Sequence, residues 1–182
     1  MAELYDGGHS MNLANKLTIL RVILIPVFLI LLYAGLSYIA LAVFIIASIT
    51  DYIDGNLARK HNMVTDFGKF MDPLADKMLV FAALIWFTAS GLFPAWALVI
   101  VAAREFAVSG LRMLAASSGK VIAAAWSGKL KTATTMVCII IMFLPVWGWV
   151  YWVCTACIVL TTVYSGVEYF AKNIGVLSLE DL

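Results

Sequence analysis

Five aspartates fall within residues 51–77, DYIDGNLARKHNMVTDFGKFMDPLADK, in a chain that is otherwise strongly apolar. Asp51 and Asp54 are three positions apart, and Asp72 and Asp76 four. On helices turning about 100° per residue, each pair therefore shares one face. Gly55 and Ala58 lie within about 40° of Asp51 on the first of these helices, so the acid-bearing face carries the smallest side chains. Such a face admits close helix packing or the close approach of a ligand. Four carboxylates gathered in one place repel each other unless they are protonated or hold cations. An all-oxygen donor set without histidine suits Mg²⁺, Mn²⁺ or Ca²⁺ rather than zinc. Two such ions held by four acids recur in phosphate-ester chemistry. The competing reading is an intramembrane salt-bridge network or a proton path. Asp66 stands outside both pairs and reads as a loop or helix-capping residue.

Basic residues complement the acids. Arg59 follows the first aspartate pair, Arg104 and Arg112 lie in a later apolar segment, and Lys129 and Lys131 open the next. Arginine meets phosphate through its planar fork and lysine as a point charge. Acids suited to metals, beside cations suited to phosphate, describe a site for a phosphorylated substrate. Arg112 has a competing role as the partner of Glu105, and Lys131 as a side chain snorkelling to lipid headgroups.

The elements that must position these residues are apolar spans. The chain has 182 residues, 64% of them hydrophobic and 13% charged, with a mean hydropathy of +0.99. Those values lie outside the range of water-soluble domains and indicate an all-α polytopic membrane protein. Six segments, at 17–34, 38–58, 70–89, 94–115, 127–145 and 149–171, each approach the ~20 residues a helix needs to cross the hydrocarbon layer. The breaks at 34–37 (AGLS), 90–94 (SGLFP) and 144–148 (LPVWG) carry the glycines and prolines that end helices. With six spans, all 12 lysines and arginines fall at or toward one side. The three opposite loops hold Tyr33, Tyr38, Trp96, Trp147, Trp149, Tyr151 and Trp152 instead. This bias predicts cytoplasmic N and C termini and an aromatic belt on the far side. It also argues against a divalent-cation transporter, which needs acids near mid-membrane with access from both faces.

The remaining features are quieter. Cys154 and Cys157 form a C-x-x-C, but no second Cys or His pair accompanies them, and with Cys138 they read as inert helix thiols rather than a metal or redox site. Residues 1–10 are polar and aperiodic and read as an appended remnant or disordered leader. A single membrane domain is expected over 11–172, with a tail at 173–182.

The string Asp51-x-x-Asp54-Gly55-x-x-Ala58-Arg59, eight residues, Gly68-x-x-x-Asp72-x-x-x-Asp76 resembles the signature of the CDP-alcohol phosphotransferase family at every defined position. The flanking strings NKLTILRVILIPVF, GKFMDPLADK, AREFAVSGLR and GKLKT are similar to those of members that use glycerol 3-phosphate as acceptor. The resemblance implies that Asp51, Asp54 and Asp72 hold one divalent cation and Asp51, Asp72 and Asp76 a second, Mg²⁺ or Mn²⁺. It places Asp76 as general base and Gly55, Ala58, Arg59 and Gly68 around the CDP group. Arg104, Arg112, Lys129 and Lys131 would bind the acceptor's phosphate, and Asn15, Thr18 and Arg21 would help line the headgroup site. Asn15 and Thr18 are equally suited to helix capping.

The implied reaction takes the phosphatidyl group from CDP-diacylglycerol to glycerol 3-phosphate, yielding phosphatidylglycerol phosphate and CMP at the cytoplasmic face of the inner membrane. Inositol phosphate, phosphatidylglycerol and serine are the alternative acceptors, and the cationic residues favour a phosphorylated one over serine. Members of the family imply a homodimer; no nucleic-acid partner is expected.

Overall fold

The computed structural model describes residues 13–60, 66–117 and 125–174; the side chains of 13–18, 51–60, 66–73, 76 and 117 lie outside that description. Six helices follow one another: α1 (Leu13–Tyr33), α2 (Ser37–Lys60), α3 (Asp66–Ala89), α4 (Ala95–Ser117), α5 (Trp126–Phe143) and α6 (Gly148–Asn173). There is no strand among the described residues. The helices coincide with the six apolar segments to within a few residues at each end. Asp66 opens α3 rather than lying in the loop before it.

Two of the helix ends are set by glycine. Gly35 and Gly91 adopt φ of 76° and 73°, the left-handed region in which a Cβ is disfavoured. At the first, the Leu36 N–H donates to the Leu31 carbonyl and the Gly35 N–H to the Leu32 carbonyl. At the second, Leu92 donates to Phe87 and Gly91 to Thr88. Both are Schellman closures, which satisfy carbonyls that the helix itself leaves open. The end of α5 has another cause. Leu144 precedes Pro145 and is extended at φ −81°, ψ 157°, because the proline ring disfavours helical backbone in the residue before it.

The chain divides into two compact units, Met1–Ala82 and Ala83–Leu182. In the first, α1 packs along α2. Ile25, Phe28 and Leu32 recur at helical spacing on α1 and are buried, as are Ala40, Leu41, Phe44 and Ala47 on α2. The Phe28 and Phe44 rings meet with centroids 6.0 Å apart. In the second unit, α6 packs against both α4 and α5, and the Phe87 and Phe143 rings meet tilted, with centroids 4.7 Å apart.

The outward faces remain apolar. Ile23, Ile30, Ile39, Ile46 and Ile49 in the first unit, and Phe106, Met113, Val153, Leu160, Val163 and Val167 in the second, are exposed. In water such surfaces mark contact with a partner or a membrane. By length and composition α6, with a mean hydropathy of 1.6 over its most apolar window, can cross a bilayer. The apolar stretches of Ile19–Tyr33, Ser37–Thr50 and Lys77–Ala89 are shorter.

Candidate functional site

The buried stripe of each helix in the second unit changes character along its length. On α5 the inward positions are Ser127, Lys131 and Thr135, then Cys138, Ile139, Met142 and Phe143. On α6 they are Cys154, Thr155 and Ile158, then Thr162, Ser165 and Tyr169. On α4, Glu105 lies between the apolar positions Ala97 and Val101 before it and Val108, Leu111 and Ala115 after it. α5 and α6 therefore each turn an apolar half and a polar half toward their neighbours, and α4 brings one carboxylate into an apolar stripe. Polar groups are tolerated in such a setting only where they meet each other.

They meet around Glu105. Its Oε1 accepts a hydrogen bond from Lys131 Nζ at 2.6 Å and another from Arg104 Nη1 at 2.8 Å. The three side chains are 11%, 6% and 13% exposed, so one largely buried carboxylate is shared by two largely buried cations. The trio keeps one net positive charge. Arg104 Nη2 donates to Ser165 Oγ at 2.6 Å, tying α4 to α6. Among the described residues its buried Nε has no acceptor.

Arg104 runs close to a glycine on each of two helices. A Cβ on Gly166 would lie 3.3 Å from Arg104 Cγ, and one on Gly128 3.6 Å from its Nη2. The first is tighter than ordinary van der Waals contact, so a side chain at 166 would require the arginine stem to shift by a few tenths of an ångström. Thr135 returns its hydroxyl to the Lys131 carbonyl at 2.9 Å, which satisfies that hydroxyl within its own helix.

Arg112 lies two turns beyond Arg104 on α4, about 12 Å along the axis. Its Nε donates to the Tyr169 hydroxyl at 3.0 Å, and its Cζ sits 5.5 Å from the centre of the same ring. The partner suggested by sequence was Glu105; Arg112 turns to Tyr169, while Glu105 takes Arg104 and Lys131. Lys131 is buried at Glu105, a different placement from a side chain snorkelling to headgroups. Lys129, two positions earlier on α5, is exposed. Glu168 and Lys172 pair across one turn of α6.

The other residues singled out by sequence are placed by backbone alone. Asp51, Asp54, Gly55, Ala58 and Arg59 lie on the last three turns of α2. Gly68, Asp72 and Asp76 lie on the first turns of α3, and Asn15 and Thr18 on the first turns of α1. Their side chains are outside the described residues. Arg21 is buried on α1. Among the described residues no group of three or more His, Cys, Asp or Glu could hold a metal ion. Cys154 is buried and Cys157 exposed.

Sequence reasoning missed Ser165, Tyr169, Gly128 and Gly166, and weighed Glu105 only as a partner for Arg112. A signal for Glu105 existed, since an acid next to an arginine inside an apolar segment rarely lacks a role. The glycines and Tyr169 gave none, because their importance arises from helices distant in sequence.

Six helices, a signature of paired aspartates on α2 and α3, and a buried cationic cluster on α4 and α5 define a membrane enzyme class, and the comparison with known families agrees. Residues 11–164 match the model of the CDP-alcohol phosphatidyltransferases, and the chain belongs to that family. It is 43% identical over 187 positions to the CDP-diacylglycerol–glycerol-3-phosphate 3-phosphatidyltransferase of Bacillus subtilis (strain 168), covering 89% of this chain and 95% of that one. A probable phosphatidylglycerophosphate synthase of Mycobacterium tuberculosis (strain H37Rv) is also 43% identical, over 88% of this chain and 81% of its own length. The CDP-diacylglycerol–glycerol-3-phosphate 3-phosphatidyltransferase of Salmonella typhimurium (strain LT2) is 38% identical, over 78% and 77%.

Proposed function

We propose that the chain transfers the phosphatidyl group of CDP-diacylglycerol to glycerol 3-phosphate, releasing CMP and forming phosphatidylglycerol phosphate. The observation that carries this reading is the near full-length similarity to a relative bearing the name of that reaction, in a chain that keeps every position of the aspartate signature.

The four aspartates are an all-oxygen donor set, which fits hard divalent cations such as Mg²⁺ or Mn²⁺. Asp51, Asp54, Asp72 and Asp76 would hold two of them. When bound, such ions polarise phosphoryl oxygens and offset the charge that collects on a departing phosphate. Gly55, Ala58, Arg59 and Gly68 give the CDP group a face with little side-chain bulk and one cation. Asp76 takes the proton from the acceptor hydroxyl as its oxygen attacks the phosphorus of the phosphatidyl group. The bond from that phosphorus to the CMP oxygen breaks, and CMP leaves with the electron pair. Arg104, Arg112, Lys129 and Lys131 hold the acceptor's own phosphate, and Asn15, Thr18 and Arg21 assist at the headgroup. Lys131 acts there with its charge already shared with Glu105, which leaves Arg112 and Lys129 as the more accessible contacts.

The chain works as a six-span protein of the inner membrane with both termini and the reaction on the cytoplasmic side, and it functions as a homodimer. The lysine and arginine bias and the lipid-compatible outer faces support the first statement; the second follows family resemblance.

Purified protein supplied with CDP-diacylglycerol and a panel of acceptors tests the assignment. CMP should appear with glycerol 3-phosphate and a divalent cation, and not with serine, inositol phosphate or phosphatidylglycerol. Faster release with any of those three would reassign the acceptor.

A further inference from the structure

Tyr169 has a divided environment. Its ring is packed with Val108 and Leu111 of α4, with Ala125 and Phe170 alongside, and only 2% of the residue is exposed. Its hydroxyl is the acceptor for Arg112 Nε at 3.0 Å, and Arg112 itself is exposed. A buried tyrosine normally needs a partner for its hydroxyl; here that partner is a residue whose charge faces outward. The bond also selects which edge of the guanidinium is used. With Nε engaged, the two Nη atoms are the pair left for a bidentate contact, and among the described residues neither has an acceptor. An arginine carries several rotatable bonds, and fixing its fork beforehand removes the ordering cost that ligand binding would otherwise bear.

We propose that Tyr169 is a positioning residue for the acceptor: it orients Arg112 so that its terminal nitrogens receive the acceptor's phosphate end-on. This rests on the reading of Arg112 as an acceptor-phosphate contact. Tyr169 touches neither substrate, and its influence passes through Arg112. The ring is held by the apolar cluster, so Tyr169→Phe keeps the packing and the ring face under the guanidinium and removes one oxygen.

The experiment compares wild type, Tyr169→Phe, Arg112→Ala and the double variant in two measurements. One is the KM for each substrate from CMP release; the other is calorimetric binding of sn-glycerol 3-phosphate to the detergent-solubilised, Mg²⁺-loaded protein. Tyr169→Phe should weaken glycerol 3-phosphate about fivefold in KM and Kd, the size of one ordinary hydrogen bond. It should leave the KM for CDP-diacylglycerol unchanged. In the Arg112→Ala background the same change should have no further effect. Unchanged affinity in Tyr169→Phe, an equal loss in the Arg112→Ala background, or a weakening for both substrates together would overturn the proposal. Failure of the functional reading looks different. A wild type that binds glycerol 3-phosphate in a Tyr169-dependent way, yet releases no CMP with it, would refute the assigned reaction and uphold the positioning role.

Discussion

Replacing Glu105 with alanine should be among the most damaging changes available in the second unit. The carboxylate receives Lys131 at 2.6 Å and Arg104 at 2.8 Å. At an effective dielectric of about 20, each contact is a gross attraction of roughly 6 kcal/mol. Desolvation of the three groups offsets most of that, so the pairs add little net stability over an apolar cluster. Removing the shared partner is another matter. It takes the shared carboxylate away from two largely buried cations, and breaking a buried pair in this way costs about 3–5 kcal/mol. Against a total stability of about 5–15 kcal/mol that is a large fraction. Denaturant unfolding in detergent, without substrates, measures it. Glu105→Gln keeps an acceptor oxygen and should fall between wild type and alanine. Adding Lys131→Met to Glu105→Ala removes one of the two cations that lost this carboxylate and should recover roughly half of the loss. A Glu105→Ala protein within about 1 kcal/mol of wild type, or a double variant less stable than the single, would refute the electrostatic account.

Two further outcomes follow from the same geometry and from the signature. On the proposed two-cation reading, Asp72→Asn should abolish CMP release at every Mg²⁺ concentration tested, because a neutral amide would replace a carboxylate ligand; turnover restored by excess metal would contradict that role. Gly166→Ala pushes a methyl group to 3.3 Å from Arg104 Cγ, so it should raise the KM for glycerol 3-phosphate severalfold while the same substitution at Gly110, where a Cβ meets open space, leaves it unchanged. Equal kinetics in both variants would show that α6 yields without disturbing the arginine.

The helices were legible in the sequence because apolar length and glycine or proline breaks are local properties. Segments such as 149–171 and breaks such as AGLS map onto α6 and the Gly35 closure almost residue for residue. Residue types at the site were also legible, since a carboxylate pair or a lysine inside an apolar run announces itself. What could not be read was pairing. Glu105 is two turns from Arg112 on one face of α4, and local spacing favours that partnership. The actual partner, Lys131, comes from another helix, while Tyr169 satisfies Arg112 from a third. Gly128 and Gly166 matter only because Arg104 runs between them, a fact about three helices that no single stretch contains.

The three-residue link between α1 and α2 and the four-residue link between α5 and α6 have a consequence for biogenesis. Helices joined so closely meet at almost no cost in chain entropy, and in each of these hairpins the two helices are packing neighbours. Each can therefore pair as soon as its second helix leaves the ribosome, and the α1–α2 hairpin can do so before the other four helices exist. The buried face of α4 is in a different position: Glu105 waits 26 residues for Lys131, and Arg104 waits 61 for Ser165 on α6, the last of the six helices to be made.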